Sequence, residues 1–64
     1  MLSPKEFEVL NYLVKGMCNR DIAEKLCVEI DTVKAHVTSI MKKFGVTNRT
    51  EAAYYAIKHK IVIL

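Results

Sequence analysis

Residues Asp31 to Phe44, DTVKAHVTSIMKKF, constrain this chain more than any other stretch. At about 3.6 residues per turn, Val33, Val37, Ile40, Met41 and Phe44 fall on one stripe, and Lys34, Ala35, Thr38, Lys42 and Lys43 fall on the other side. Such a segment is a helix with one face for a core and one basic face of small residues. After Asp31 it carries no acid, whereas a helix that merely meets water more often interleaves Glu with Lys. A plain solvated face is the competing explanation, and the sequence before the helix weighs against it.

A chain of 64 residues makes one domain, spanning 1–64, that buries about 60% of its unfolded surface and leaves little room for an enzyme cleft. No paired carboxylates, nucleophile-base pair or phosphate-cradling Gly loop stands in the sequence, so an enzyme is not expected. The composition, 52% hydrophobic and 27% charged, is that of a folded chain rather than a disordered one. No apolar run reaches membrane-spanning length, and the closing Ile61-Val62-Ile63-Leu64 falls far short of it. Met1 stands directly before a helix start, without a basic n-region or apolar h-region, which makes a cytoplasmic setting the expectation. There Cys18 and Cys27 are expected to be reduced thiols. They lack partner ligands at metal spacing, and neither a metal nor a cofactor is expected.

Net charge is +3, unevenly spread. Residues 1–32 carry four basic and six acidic side chains; residues 33–64 carry six basic ones, Lys34, Lys42, Lys43, Arg49, Lys58 and Lys60, against the single acid Glu51. The second half is therefore the anion-facing half. Nucleic acid is the commonest partner for such an asymmetry, and a membrane surface or an acidic protein also fits it.

Taken in order, Ser3-Pro4-Lys5-Glu6 is a capping box with Pro at the first helical position. The helix it starts has Phe7, Val9, Leu10, Leu13 and Val14 as its inner face and ends near Lys15, where Gly16 supplies a left-handed residue. A short second helix begins at Cys18-Asn19-Arg20-Asp21 and runs to about Leu26 or Cys27. Asn19 is the better cap by residue type and Cys18 by spacing, so its register stays open. Ile22, Ala23 and Leu26 face inward. Ala23, Leu26, Val28 and Val33 have the spacing of a helix-turn-helix, in which a small residue lets the next helix cross closely. Glu29 and Asp31 are the candidate caps of the 31–44 helix, and Gly45 ends it. Asn48-Arg49-Thr50-Glu51 is a second capping box, opening a fourth helix to roughly His59 with Ala52, Ala53 and Ala56 inward. The fold class expected is all-α, a four-helix helix-turn-helix domain.

These residues resemble the LuxR/FixJ-type, GerE-like, bacterial helix-turn-helix DNA-binding domains. The resemblance covers essentially the whole chain. It rests on Leu2-Ser3-Pro4 with Glu6 and Val9-Leu10, Gly16, Asn19 with Ile22-Ala23 and Leu26, Thr32-Val33-Lys34 with His36, and Gly45-Val46 with Asn48-Arg49 and Glu51-Ala52. It implies that the 31–44 helix lies in the major groove and that the fourth helix pairs two domains. It further implies base contacts from Lys34, Ala35 and Thr38, and phosphate contacts from Asn19, Arg20, Thr32 and His36. Lys42, Lys43 and Arg49 join the phosphate set on charge alone. Three positions depart from the family's habit: Cys18 and Glu29 stand where a Ser or Thr cap is usual, and Lys60 where a Gly commonly ends the fourth helix.

Two functions follow as expectations. The first is sequence-specific duplex DNA binding for transcription regulation, with a homodimer forming on DNA and RNA polymerase as a further partner. The second is a protein-docking module of the same shape, favoured only by the carboxylate of Glu29. On the fourth helix, Glu51, Tyr54, Tyr55 and Lys58 lie opposite the alanines and are the candidate dimer surface. Ordinary alternatives accompany several of these assignments. Lys42 and Lys43 suit the negative end of a helix dipole with or without DNA, the tyrosines can cap the core, and His36 can be a plain polar residue.

Overall fold

Ser3 opens the first helix as its sequence predicts. In the computed structural model, which describes residues 1–62, the Ser3 hydroxyl accepts the Glu6 N–H at 3.1 Å and Glu6 Oε1 accepts the Ser3 N–H at 2.8 Å. The expected domain span of 1–64 includes Ile63 and Leu64, which lie outside the described residues. Four helices and no strand make up the described residues: α1 (Pro4–Leu13), α2 (Asn19–Leu26), α3 (Ile30–Phe44) and α4 (Arg49–Lys58). The all-α expectation holds, with element ends shifted by one or two residues.

α3 is the central element, packed against α1, α2 and α4. Its Val33, Val37 and Ile40 are buried, and Met41 and Phe44 half-buried, as the periodicity requires. They meet Val9, Leu10 and Leu13 of α1, Ile22 and Ala23 of α2, and Ala56 of α4 in one cluster, closed by Val62. Ala23 of α2 is 4% exposed and Ala52 and Ala56 of α4 are fully buried, so α2 and α4 each pack inward through residues with almost no side chain to hold them away. A fully buried Leu10, Ile22 or Ile40 contributes about 2 kcal/mol through lost apolar exposure.

Three expectations about α1 change. Phe7 is 39% exposed rather than inward, and Glu6, expected only as a capping residue, is 5% exposed. The stripe of α1 is Glu6, Val9, Leu10 and Leu13, an i, i+3, i+4, i+7 series that leaves Phe7 on its flank. The α1 helix also stops at Leu13, before the expected Lys15.

Cys18 caps α2, settling its register, although its side chain makes no cap hydrogen bond. All four helices end alike. The residues Gly16, Cys27, Gly45 and Lys60 have φ of 85°, 56°, 70° and 57°, and the next amide in each case bonds back across the last turn: Met17 to Tyr12, Val28 to Ala23, Val46 to Met41 and Ile61 to Ala56. Glycine occupies two of these left-handed positions; a cysteine and a lysine occupy the others.

Candidate nucleic-acid interface

Burial of Val33, Val37 and Ile40 turns Lys34, Ala35, Thr38 and Lys42 outward, and all four are exposed. Thr32 is also exposed, and His36 on the flank is half-buried. Lys34 Nζ lies 4.0 Å from Asp31 Oδ1, with the two side chains 63% and 96% exposed. Such a pair is weak and leaves the ammonium available. α3 begins at Ile30, with Glu29 rather than Asp31 as its cap, and Glu29 makes no side-chain cap bond. Its carboxylate therefore sits near the positive end of the helix without satisfying an amide.

At the start of α2, Arg20 is exposed and Asn19 half-buried. Asn19 Oδ1 accepts from Arg49 Nη1 at 2.6 Å, and Arg49 Nη2 donates to the Met17 carbonyl at 2.7 Å. Both terminal nitrogens of Arg49 are thus engaged within the chain. Lys43 is engaged as well. Its Nζ lies 2.8 Å from Glu6 Oε1 and 3.1 Å from the Met1 carbonyl, on the side of α3 that faces α1. The other Glu6 oxygen accepts from the Ser39 hydroxyl. Lys43, Ser39 and the Ser3 amide hold the Glu6 carboxyl down to about 2 against the cost of burial. Of the residues grouped by charge, Lys42 alone is exposed without an ion pair among the described residues.

On α4 the two tyrosines part company. Tyr54 is 65% exposed, with Lys58 Nζ 5.8 Å from its ring centroid. Tyr55 is half-buried and stacks on Phe44, ring centroids 4.4 Å apart, and also meets His59. The outward tyrosine pair expected from the sequence is one outward tyrosine joined by Ile57, 43% exposed and one helical turn on. Glu51 accepts from the Thr47 amide at 2.9 Å and the Thr47 hydroxyl at 3.0 Å, while Asn48 Oδ1 accepts the Glu51 amide at 2.8 Å. The expected box is in this way displaced by one residue at its carboxylate end. Those two Thr47 donors lower the pKa of Glu51.

Residues 1–56 match the profile of the bacterial regulatory proteins of the luxR family. The chain belongs to that family. LuxR-family members are regulators rather than a class of enzymes, and the match takes in α1, α2, α3 and most of α4. The oxygen regulatory protein NreC of Staphylococcus aureus is 45% identical over 62 residues, covering 97% of this chain and 29% of NreC. Among solved structures, the response regulator ChrA of a heme-sensing two-component system superposes with a TM-score of 0.92 at 40% identity, over 97% of this chain and 31% of ChrA. The transcription factor GerE superposes with a TM-score of 0.84 at 27% identity, over 92% of this chain and 88% of GerE. This LuxR-type chain therefore spans under a third of the length of NreC and ChrA and nearly the whole of GerE. No helix among its described residues is long and apolar enough to cross a membrane.

Sequence reasoning missed the pairing of Glu6 with Ser39 and Lys43, the bond between Arg49 and Asn19, and the exposure of Ile57. Only the last had a local signal, the three-residue step from Tyr54.

Proposed function

We propose that this chain is the DNA-binding output domain of a transcription regulator, with α3 lying in the major groove of duplex DNA. The observation that carries the reading is the outer face of α3: Lys34, Ala35, Thr38 and Lys42 exposed together, with no acid after Asp31 to oppose a polyanion. Lys34 and Thr38 read base edges, and Ala35 lets the helix sit close to them. Arg20, Thr32, His36 and Lys42, with Asn19, meet the phosphates and set the register of the helix on the duplex.

Two copies pair through the outer face of α4. Tyr54 and Ile57 form its apolar centre, and Lys58 and Glu51 its rim. A two-fold contact of this kind sets the two α3 helices about one DNA turn apart. One helix pair buries little area, so the free chain stays largely monomeric and pairs on DNA, where the second copy binds at high effective concentration. RNA polymerase is the partner that a regulator so placed addresses.

Selection of bound sequences from a random duplex pool tests the reading. Enrichment of a two-fold symmetric site is expected; a pool left unenriched at low salt, where the domain should bind most tightly, would overturn it.

A further inference from the structure

Arg49 opens α4 and Asn19 opens α2, yet the backbones of these two helices do not come close to one another; each packs on α1 and α3 instead. One guanidinium spans the gap. Its Nη1 donates to Asn19 Oδ1 at 2.6 Å and its Nη2 to the Met17 carbonyl at 2.7 Å. The two acceptors flank Cys18, the cap residue whose own side chain makes no cap bond. The entry to α2, which lacks a side-chain cap, is therefore held from outside by the first residue of α4.

This geometry also decides which way round Asn19 faces. An asparagine amide has an acceptor oxygen at one end and two N–H donors at the other. With Oδ1 bound to a cation, the donor end is turned away from Arg49. An amide offering its nitrogen attracts a phosphate, whereas the flipped amide offers an oxygen and repels it. The bond to a charged donor is the kind strong enough to suppress the flip. Lysine cannot replace it, because a single ammonium lacks the planar fork that reaches Asn19 Oδ1 and the Met17 carbonyl at once.

We propose that Arg49 is a positioning residue for DNA: it acts through Asn19, fixing that amide with its nitrogen toward a backbone phosphate, rather than by meeting a phosphate itself. The inference rests on the DNA-binding function proposed above. It also makes the phosphate contact of Asn19 depend on where α4 is placed, since the one Arg49 side chain serves both.

The test is a double-mutant cycle with the 64-residue chain on a selected duplex, using R49K, N19A and the double variant, with thermal melting recorded for each. R49K keeps the charge, and should bind DNA about 5-fold more weakly with the salt slope of the parent, as expected for one lost hydrogen bond of ordinary strength. The double variant should bind no more weakly than N19A, because both changes remove the same contact. Additive losses overturn the proposal. The NMR signal of the Asn19 side-chain amide supplies a readout that a stability loss does not move. It should shift when DNA is added to the parent and stay in place for R49K. A parent signal unmoved by bound DNA overturns the proposal, even if R49K fails to fold. Absence of DNA binding by the parent, seen in a gel shift before any variant is made, instead removes the DNA-binding function and this inference with it.

Discussion

Lys43 Nζ lies 2.8 Å from Glu6 Oε1, joining residues 37 apart in the chain across the contact of α3 with α1. Glu6 is 5% exposed and carries four roles at once: it completes the α1 cap, accepts from Ser39, pairs with Lys43, and occupies a turn of the buried stripe. A carboxylate in this position is tolerated because each oxygen has donors; removal of those donors would leave a buried charge unpaired.

Stability should therefore fall in acid. The Glu6 carboxyl is lowered from 4.5 to about 2, so the folded chain binds its proton less readily than the unfolded chain. The contribution is fully present above about pH 5 and is lost as pH falls through 4 toward 2. An unscreened lowering of this size is worth about 3 kcal/mol, and with Lys43 40% exposed about 2 kcal/mol is expected. Melting of the parent and of E6Q across this range checks it: E6Q should start less stable and show a flatter acid limb. Parallel pH curves for the two would exclude Glu6 as the source.

Lys43 and Lys42 are neighbours with opposite assignments. K43M should lower stability by about 1–2 kcal/mol, through loss of the partner of Glu6, and leave the salt dependence of DNA binding nearly unchanged. K42A should do the reverse. With Arg20, Lys34 and Lys42 as the available cations, log K should fall against log salt with a slope of about −3, and K42A should reduce it by about 1. A steeper loss of slope in K43M than in K42A contradicts the assignment.

Reading of bases and attraction to phosphates separate at Lys34 and Thr38. K34A or T38A should change which sequences a random pool yields, with a loss of about 1–3 kcal/mol on the parent's site, whereas K42A weakens every sequence alike. Uniform weakening by all three would show that α3 is not the reader.

Tyr54 and Ile57 give the α4 surface its apolar centre, so Y54E or I57E should abolish cooperative occupancy of a two-half-site duplex and leave binding to a single half-site as before. Titrations of both duplexes measure this directly. Identical two-site curves for parent and variant would place the pairing surface elsewhere.

Lys60 ends α4 with φ at 57°, a conformation that strains a residue bearing a Cβ. K60G should stabilise the chain by about 0.5–1 kcal/mol and raise its melting temperature by a few degrees, even though glycine loosens the unfolded chain. A lower melting temperature would mean that the lysine side chain contributes more than its backbone costs.

The sequence by itself determined what is local. Capping by Ser3 and Asn48, the stop at Gly45, and the apolar spacing of α3 each depend on residues within a few positions of one another, and helix hydrogen bonds reach no further than one turn. The outward placement of Lys34, Ala35, Thr38 and Lys42 follows from the same periodicity, since burying Val33, Val37 and Ile40 leaves no other face for them.

Tertiary structure decided whatever depends on which helix lies opposite. Phe44 comes to rest under α4 and captures Tyr55, so of two adjacent tyrosines only Tyr54 faces out. Lys43 meets Glu6 and Arg49 meets Asn19 because the crossings of α3 over α1, and the common seat of α2 and α4 on α3, bring together groups more than 25 residues apart. Charge alone treated Lys42, Lys43 and Arg49 as equivalent, because the sequence carries the sign of a side chain but not its partner. The left-handed ends at Cys27 and Lys60 have the same origin. No glycine marks them, and the packing of the chain beyond each helix, Val28 beside α3 and Val62 into the core, over-rides the intrinsic cost of the turn.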